Sequence, residues 1–197
     1  MNEMGETLDA VLADATARLE RAARDRRSAM HVPVVGTADG DLRMMVLRAC
    51  EPGLSRLRFH TDARSPKALT IGSGSPVSVL AFDAEAKVQL RLRGNGRIEL
   101  RGPQADAAWA AATAFARRCY LAEAAPGTPA DHALSGLPEA VEGLMPSEEQ
   151  LLPARDNFAV LLIELQHLDW LYLAHDGHRR AQFARGAEGW QGTWVVP

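Results

Sequence analysis

The chain has 197 residues, with 22 lysines and arginines against 25 aspartates and glutamates and a formal net charge of −3. Apolar residues make up 47% of the chain, which is enough for a sizeable core and excludes wholesale disorder. This charge balance argues against a general nucleic-acid binder. No apolar run approaches the roughly 18 residues of a membrane-spanning helix, and the acidic start lacks the pattern of a signal peptide. We therefore expect a soluble cytoplasmic protein that is not attached to a membrane.

Apolar residues at helical spacing predict a first helix over about residues 6–26. From Met30 onward the pattern changes to short β-strands separated by turns. The predicted strands cover residues 30–36, 42–50, 54–61, 77–82, 87–100, 158–165, 169–174, 179–184 and 190–196. The long strand at 87–100 is expected to bend at Gly94-Asn95-Gly96, and Asp176-Gly177 is expected to form a turn.

Three further segments complete the predicted organisation. Ser65 followed by Pro66 predicts the start of a short helix, and an alanine-rich run predicts a helix over residues 105–120. Residues 126–146 are rich in proline and glycine and are expected to be irregular. The whole predicts an α+β fold, mainly an antiparallel barrel with flanking helices. We expect one domain over residues 1–197, with an N-terminal helix within 1–28 and a helical and loop insertion at 103–155.

Several common chemical motifs are absent from the sequence. There is no Gly-x-Gly-x-x-Gly after a strand, no Walker loop and no Gly-x-Ser-x-Gly elbow. The two cysteines, Cys50 and Cys119, are too few for a disulfide framework or a cysteine zinc site. The six histidines show no His-Glu-x-x-His arrangement, so we expect no metal site.

Polar and basic positions around the strands remain as candidates. Arg43 and Arg48 bracket one strand, and alternation places them on opposite faces unless a bulge intervenes. The segment Phe59–Lys67 runs from a strand into a helix start that carries hydroxyls and a lysine. It predicts either a phosphate site or a simple helix cap with surface charges.

Two later positions add to these candidates. In the strand that contains Gln89, alternation places Val88, Leu90 and Leu92 on one face. Gln89, Arg91 and Arg93 share the other face. The Gln89 amide can donate and accept hydrogen bonds, which suits the edge of a heterocycle. Trp170 can stack on a planar cofactor or lie in the core.

In this order and spacing, these segments resemble the pyridoxamine 5′-phosphate oxidase family of FMN-binding split barrels. Arg43–Arg48 is similar to the family strand Arg-x-Val-Leu-Leu-Lys, and Phe59–Lys67 to its Phe-Tyr-Thr-Asn…Ser-Arg-Lys segment. Val88–Gly94 resembles its Arg-Gln-Val-x-Val-x-Gly strand. Glu164–Arg179 resembles its C-terminal Glu-x-Trp…Arg stretch, with Trp170 as the family tryptophan.

The resemblance implies a split barrel with FMN bound at a homodimer interface. Arg43 and Lys67 would hold the FMN phosphate, with help from Ser65. Gln89 would hydrogen-bond the flavin ring, and Trp170 would contact the cofactor from the partner chain. The remaining cofactor contacts would come from Met44, Met45, Val46, Arg48, His60 and Thr61.

The sequence departs from the family pattern mainly at the substrate. Pro66 replaces a family arginine beside the FMN phosphate, and Arg48 replaces a lysine that faces both flavin and substrate. Arg179 matches the first arginine of a family Arg-x-His-Asp-Arg clasp, but Ala181 and Phe183 replace the histidine and the last arginine. The mid-chain Tyr…Arg…Ser set that grips the substrate phosphate has no clear counterpart.

The resemblance therefore implies an FMN-dependent oxidoreductase that acts on an unidentified small anionic substrate, attracted by Arg48 and Arg179. No catalytic residue is assigned. One alternative is a true pyridoxamine or pyridoxine 5′-phosphate oxidase with a rebuilt substrate site. Others are a non-enzymatic flavin- or haem-binding module and a barrel that has lost its cofactor, with Pro66 and Phe183 as the signs of that loss.

Overall fold

A computed structural model describes residues 7–175 and 177–197, and in this part of the chain nine strands pair antiparallel in one sheet. The strands are β1 Val34–Thr37, β2 Leu42–Met44, β3 Leu47–Cys50, β4 Arg56–Asp62, β5 Ser75–Asp83, β6 Val88–Glu99, β7 Phe158–Tyr172, β8 Arg179–Gly186 and β9 Gly189–Val195. The helices are α1 Leu8–Arg24, α2 Pro66–Ile71, α3 Pro103–Ala111, α4 Ala114–Arg118 and α5 Ala154–Asn157. The predicted α+β antiparallel barrel with flanking helices is confirmed.

The sheet curls into a barrel because one stretch of chain, residues 42–50, joins two distant strands. Its first part, β2, pairs with β1, and its second part, β3, pairs with β4. Between them the Met45 amide donates to the Pro33 carbonyl at 3.0 Å, and the Leu47 amide donates to the His31 carbonyl at 2.9 Å. The prediction of one uninterrupted strand over 42–50 was wrong, because the chain bends there to leave β1 and reach β4.

Helix α1 packs against the barrel through its apolar stripe, as the helical spacing predicts. The buried residues Val11, Ala15, Leu19 and Ala22 recur every three to four positions and join the barrel core. The Thr7 hydroxyl caps the helix by accepting from the Ala10 amide at 3.2 Å. The predicted helix is confirmed over Leu8–Arg24, while Glu6 lies outside the described residues.

Strand β7 is continuous where the sequence predicts two strands, 158–165 and 169–174. The register with β6 shifts between Arg93 and Gly94, whose partners are His167 and Leu165. The alternation changes phase at this bulge, and for this reason the sequence pattern looks like two strands. The backbones approach so closely there that a Cβ on Gly94 would lie 2.0 Å from the Glu164 carbonyl oxygen. The predicted bend near Gly94 thus corresponds to this register shift.

A second apolar cluster lies outside the barrel, beneath residues 103–157. Phe158, Val160 and Leu162 of β7 point outward into it, whereas Leu161 and Ile163 point into the barrel. The predicted helix over 105–120 is broken into α3 and α4, because the Thr113 hydroxyl caps α4 by accepting from the Ala116 amide. Residues 126–146 contain only one short 3₁₀ turn, Glu139–Val141, in agreement with the irregular structure predicted there.

Two remaining features of the chain are a possible membrane-spanning helix and the turn predicted at Asp176-Gly177. Among residues 7–175 and 177–197, no helix is long and apolar enough to cross a membrane. Asp176, the first residue of the predicted Asp-Gly turn, lies outside the described residues, so that turn is not described.

Candidate functional site

Arg43 and Lys67, the two cations predicted to hold a phosphate, lie close enough for each to act on the other electrostatically. The Arg43 guanidinium donates to the Thr37 hydroxyl at 2.9 Å and contacts the Asp41 carboxylate. Burial lowers the pKa of Lys67, and the positive charge of Arg43 lowers it further, against the opposing pull of Asp62 and Asp41. Lys67 makes no hydrogen bond or ion pair with any described residue, so a half-buried ammonium group is left unpaired beside another cation.

The hydroxyls of the adjacent turn are used within the turn itself. Ser65 precedes α2, as predicted, but its Oγ donates to the Asp62 carbonyl at 2.7 Å and does not cap the helix. The Thr61 hydroxyl lies 3.3 Å from the Ser65 Oγ, and both residues are buried. Ser65 and Thr61 therefore lie in the turn just before Lys67, and their hydroxyl groups already make hydrogen bonds within that turn.

Arg64 does not replace the arginine that Pro66 removes. Its guanidinium donates to the Asp62 carboxylate at 2.8 Å and to the carbonyl oxygens of Ala122 and Glu123 at 2.9 and 3.2 Å. These bonds direct Arg64 toward the insertion. The positive charge near the start of α2 thus comes from Lys67 and Arg43.

The four remaining candidates on the 42–50 stretch divide between the two faces of the sheet. Met44 and Arg48 are exposed and Val46 is half-buried, whereas Met45 is buried in the barrel core. Met44, Val46 and Arg48 share the outer face, because they alternate with inward-facing residues. Met45 lies on the inner face, so the structure does not present its side chain to a ligand on the outside.

His60 is a neutral, half-buried histidine next to two arginines. Its ring packs edge-on against Phe158 with ring centroids 5.0 Å apart, and its Nε2 is buried without a hydrogen-bond partner. Burial lowers the pKa of His60 to about 3, and the charges of Arg48 and Arg58 contribute to this shift. The imidazole is therefore neutral at physiological pH and lies near Arg48.

Gln89 lies on the outer face of β6, as its alternation predicts. Val88, Leu90 and Leu92 are buried in the barrel, whereas Gln89 is half-buried and lies between Phe82 of β5 and Leu171 of β7. Its side chain can therefore offer both a donor and an acceptor on the outside of the barrel.

Trp170 lies on the opposite side of the sheet from Gln89. It is 1% exposed and belongs to the barrel core, stacks on Tyr172 with centroids 6.2 Å apart, and its indole N–H has no partner. The alternation that directs Gln89 outward directs Trp170 inward. The structure thus does not bring Trp170 together with the other candidates, and its placement matches the alternative of a core tryptophan.

Two of the positions that match the family's C-terminal Arg-x-His-Asp-Arg pattern lie in the barrel core. Ala181 and Phe183 are buried in the barrel cluster, so neither position faces a ligand on the outside. Arg179 is exposed and has no partner among the described residues. The outward residues of β8 are Arg180 and Gln182, one position out of step with the predicted Arg179.

A concavity among the described residues lies on this outer face and is here called the outer-face cavity. It has a volume of about 770 Å³ and lies across β1, β2, β5, β6, β7, β8 and β9. The side chains that carry its chemistry are Arg91, Arg93, His167, Asp169, Arg180 and Gln182, with Val34, Leu42 and Leu80 as apolar neighbours. None of the predicted FMN-binding residues lines it.

Asp169 organises the polar side of the outer-face cavity. Its carboxylate accepts from Arg91 at 2.7 Å, from Arg180 at 2.7 Å and from Gln182 at 2.8 Å. Arg91 was predicted on this face, whereas Asp169 and Arg180 were not predicted as site residues. The change of phase in β7 hides the outward position of Asp169, and Arg180 lies one residue from the predicted Arg179 in β8.

Within residues 7–175 and 177–197, no group of three or more histidine, cysteine, aspartate or glutamate side chains is placed to hold a metal ion.

No family model matches the chain, and no curated protein matches its sequence. The structure is similar to a pyridoxamine 5′-phosphate oxidase-related, FMN-binding protein from Nostoc punctiforme PCC 73102. The sequences are 21% identical, the match covers 98% of this chain and 100% of the other, and the TM-score is 0.72. It is also similar to PhzG from Burkholderia lata 383, whose structure holds tetrahydrophenazine-1-carboxylic acid. That match has 18% identity, covers 100% of this chain and 97% of the other, and has a TM-score of 0.73.

These similarities extend over the whole chain, including the insertion and the C-terminal strands. They agree with the antiparallel barrel described above. The chain therefore has the split-barrel fold of the pyridoxamine 5′-phosphate oxidase-related, FMN-binding proteins.

Proposed function

We propose that this chain is an FMN-binding flavoprotein related to pyridoxamine 5′-phosphate oxidase and that it acts as an oxidoreductase on a small anionic molecule. The observation that carries the proposal is the unpaired, half-buried ammonium group of Lys67 beside Arg43. Burial and the nearby charge of Arg43 both disfavour the charged form of Lys67, and together they outweigh the opposing pull of Asp62 and Asp41. A bound phosphate group would offset both terms.

The predicted cofactor residues fit FMN in part. Arg43 and Lys67 would hold the phosphate, with Ser65 and Thr61 in the adjoining turn. Gln89 would hydrogen-bond the ring, and Met44, Val46, Arg48 and His60 would lie along the cofactor. When bound, FMN supplies the two-electron redox chemistry, and the chain supplies orientation and hydrogen bonds. Trp170 and Met45 are left out of this proposal because both lie in the core.

The apolar part of the outer face supports the proposal of a homodimer. Leu42, Met44, Leu80 and Phe82 are between 39% and 69% exposed. They lie on strands that are neighbours in the sheet, since Val34 pairs with both Met44 and Leu80. Contiguous exposed apolar side chains of this kind mark interaction surfaces. We propose that a second copy of the chain covers them and that FMN lies at this interface.

The residues expected to contact the substrate favour an anion other than pyridoxamine 5′-phosphate. Arg48 and Arg179 are exposed and unpaired among the described residues, so both remain candidates to attract a negative charge. Ala181 and Phe183 lie in the core, where they cannot replace the family clasp. The Nostoc protein is described as FMN binding, and PhzG holds a carboxylic acid, which is consistent with a flavoprotein that handles an organic acid.

The first test is the absorbance spectrum of the purified protein, followed by denaturation and identification of any released cofactor. We expect FMN near one per chain. The variant Lys67→Ala should weaken FMN binding by about 1.5–3 kcal/mol, because a charge-assisted bond to the phosphate is lost. Lys87→Ala, at the turn between β5 and β6, is the control and should bind FMN as the wild type does. A colourless protein that also fails to bind added FMN would contradict the proposal.

A further inference from the structure

We propose that Asp41, on the turn between β1 and β2, competes with the cofactor phosphate for Arg43 and Lys67 and so lowers the affinity of this chain for FMN. The inference rests on the proposed function, since it takes the two cations as the phosphate ligands. It goes beyond that function because it assigns an opposing role to a further residue of the same site. The consequence is a flavin that the chain releases readily and exchanges with the solution.

The Arg43 guanidinium divides its donors between an anchor and an exchangeable partner. Its Nη1 donates to the Thr37 hydroxyl at 2.9 Å and to the Val35 carbonyl at 3.4 Å. Its Nη2 donates to the Asp41 carboxylate. Because the bonds of Nη1 hold the guanidinium in place without Asp41, a phosphate oxygen can take over the Nη2 donor. While the Asp41 carboxylate remains there, that donor is occupied.

Asp41 also acts on the second cation of the site. Burial lowers the pKa of Lys67, and the charge of Arg43 lowers it further. The charges of Asp62 and Asp41 oppose this shift. The Asp62 carboxylate is already bound by Arg64, which donates to its two oxygens at 3.1 and 2.8 Å. Asp41 therefore supplies to both cations the kind of charge that a phosphate group would supply.

The backbone of the turn keeps Asp41 at the site even when its side chain leaves the guanidinium. The Thr37 amide donates to the Asp41 carbonyl at 3.1 Å, and the Asp41 amide donates to the Asp39 carboxylate at 3.3 Å. Asp39 also accepts from the Thr70 hydroxyl of α2 at 3.3 Å. The turn is thus bonded to the helix that carries the second cation, and the carboxylate stays close to a bound phosphate.

The exposure of the two side chains decides which of them moves. The Asp41 side chain is 64% exposed, whereas the Arg43 side chain is only 18% exposed. An ion pair with an exposed partner is weak, so a phosphate group, with its larger negative charge near pH 7, displaces the carboxylate. The two negative groups then repel each other within one site. Asp41 therefore lowers the affinity for the phosphate without preventing binding.

Titration of the full chain with FMN and with riboflavin, followed by flavin fluorescence, tests the inference after any copurified flavin is removed. Riboflavin has the same ring and ribityl chain but no phosphate. Asp41→Asn should bind FMN at least about fivefold more tightly than the wild type, because the Nη2 donor is released and the repulsion is removed. Its affinity for riboflavin should be unchanged. The tighter binding should appear mainly as slower release of FMN.

Glu85→Gln is the matched control, since it removes one negative charge from an exposed side chain elsewhere. Thr37, which bonds to Asp41, pairs with Val77 near the start of β5. Glu85 instead follows the opposite end of β5, at Asp83. The control should bind both flavins as the wild type does.

A double-mutant cycle tests whether Asp41 acts through Arg43. In a chain that already carries Arg43→Gln, the gain in FMN affinity from Asp41→Asn should be at least about twofold smaller than in the wild type. The reason is that no guanidinium donor is left to be released. A gain of the same size in both backgrounds would overturn the competition for Arg43.

The outcomes separate this inference from the FMN proposal. If Lys67→Ala weakens FMN binding but Asp41→Asn leaves it unchanged, the inference fails and the flavoprotein stands. An equal gain for FMN and riboflavin, or the same gain in Glu85→Gln, would also overturn the inference, since the phosphate would not be involved. Failure of both the wild type and Asp41→Asn to bind FMN would overturn the inference and the proposed function together.

Discussion

The two halves of β7 present outward side chains to different surroundings. In the first half, Phe158, Val160 and Leu162 point out of the barrel and are buried under residues 103–157. In the second half, Asp169 and Leu171 point out of the barrel toward the outer-face cavity and its rim. One face of one strand is therefore structural at one end and available for binding at the other. The position of the insertion, and not the strand itself, decides which.

The largest expected effect concerns the junction between these halves. In Gly94→Ala, the new Cβ would lie 2.0 Å from the Glu164 carbonyl oxygen, so β6 and β7 would have to separate. We expect a loss of about 5 kcal/mol in the free energy of unfolding or no folded protein, which is an exceptional value for one methyl group. Urea unfolding followed by circular dichroism measures it.

Gly186→Ala is the matched control for this substitution. Its Cβ would meet its nearest neighbours at 3.8 and 3.9 Å, which is ordinary contact. Equal stability of the two variants would show that the β6–β7 junction is not as close as described.

Much of the barrel could be predicted from the sequence, because alternation and turn residues are local signals. The outward position of Gln89 and the stripe of α1 follow from spacing alone. The sequence could not show that residues 158–172 form one strand, because Gln166 is an extra residue in β7 opposite Arg93 and Gly94 of β6, and it shifts the alternation of β7. That pairing is not a local property.

The candidate site was harder to predict than the fold. Arg43 and Lys67 interact electrostatically, and their role as phosphate ligands stays a prediction. The pattern could not distinguish a ligand-facing Trp170 from a core tryptophan, since both are aromatic residues on a buried strand. Arg180 was missed in favour of Arg179 because one residue of register in β8 exchanges the two faces of the sheet.

The second prediction compares one substitution at two positions on the same face of β7. Leu162→Ala removes a fully buried side chain and should lower the free energy of unfolding by about 3 kcal/mol. Leu171→Ala removes a half-buried side chain and should lower it by only about 1 kcal/mol in the isolated chain. Chemical unfolding of both variants at low protein concentration gives the difference. If a second copy covers Leu171, the two losses become similar at high concentration.

The third prediction uses pH to probe the first half of β7, where His60 packs on Phe158. The pKa of His60 is lowered to about 3, mainly by burial, against about 6.5 in the unfolded chain. The unfolded state therefore takes up a proton first as the pH falls, and stability is lost between about pH 6.5 and 3. The loss from this group at pH 5 is about 2 kcal/mol.

His60→Phe keeps an aromatic ring against Phe158 and removes the titration. Its free energy of unfolding should change between pH 7 and pH 5 by about 2 kcal/mol less than that of the wild type. Parallel pH dependences of the two proteins would mean that His60 is accessible to protons in the folded state.

The smallest expected effect belongs to the second half of β7, at Asp169. Burial alone would raise the pKa of Asp169, but hydrogen bonds from Arg180 and Gln182 and the charge of Arg91 hold it below its usual range. The carboxylate therefore contributes stability above the unfolded pKa of about 3.9, and the contribution is lost as the pH falls through the lowered value. Because Arg91 is 47% exposed, solvent screens this interaction, and Asp169→Asn should cost only about 1 kcal/mol at pH 7.

The pH window separates this effect from that of His60. At pH 5 the Asp169 contribution is still present while the His60 contribution is partly lost, so the Asp169→Asn difference should be the same at pH 7 and pH 5. It should disappear only as the pH falls through the lowered pKa of Asp169, where the wild-type carboxylate also becomes protonated. Urea unfolding at pH 7, 5 and 3 measures this. If the Asp169→Asn difference already shrinks at pH 5, the arginines do not stabilise the ionised carboxylate. The polar side of the outer-face cavity would then not be ordered by Asp169 as described.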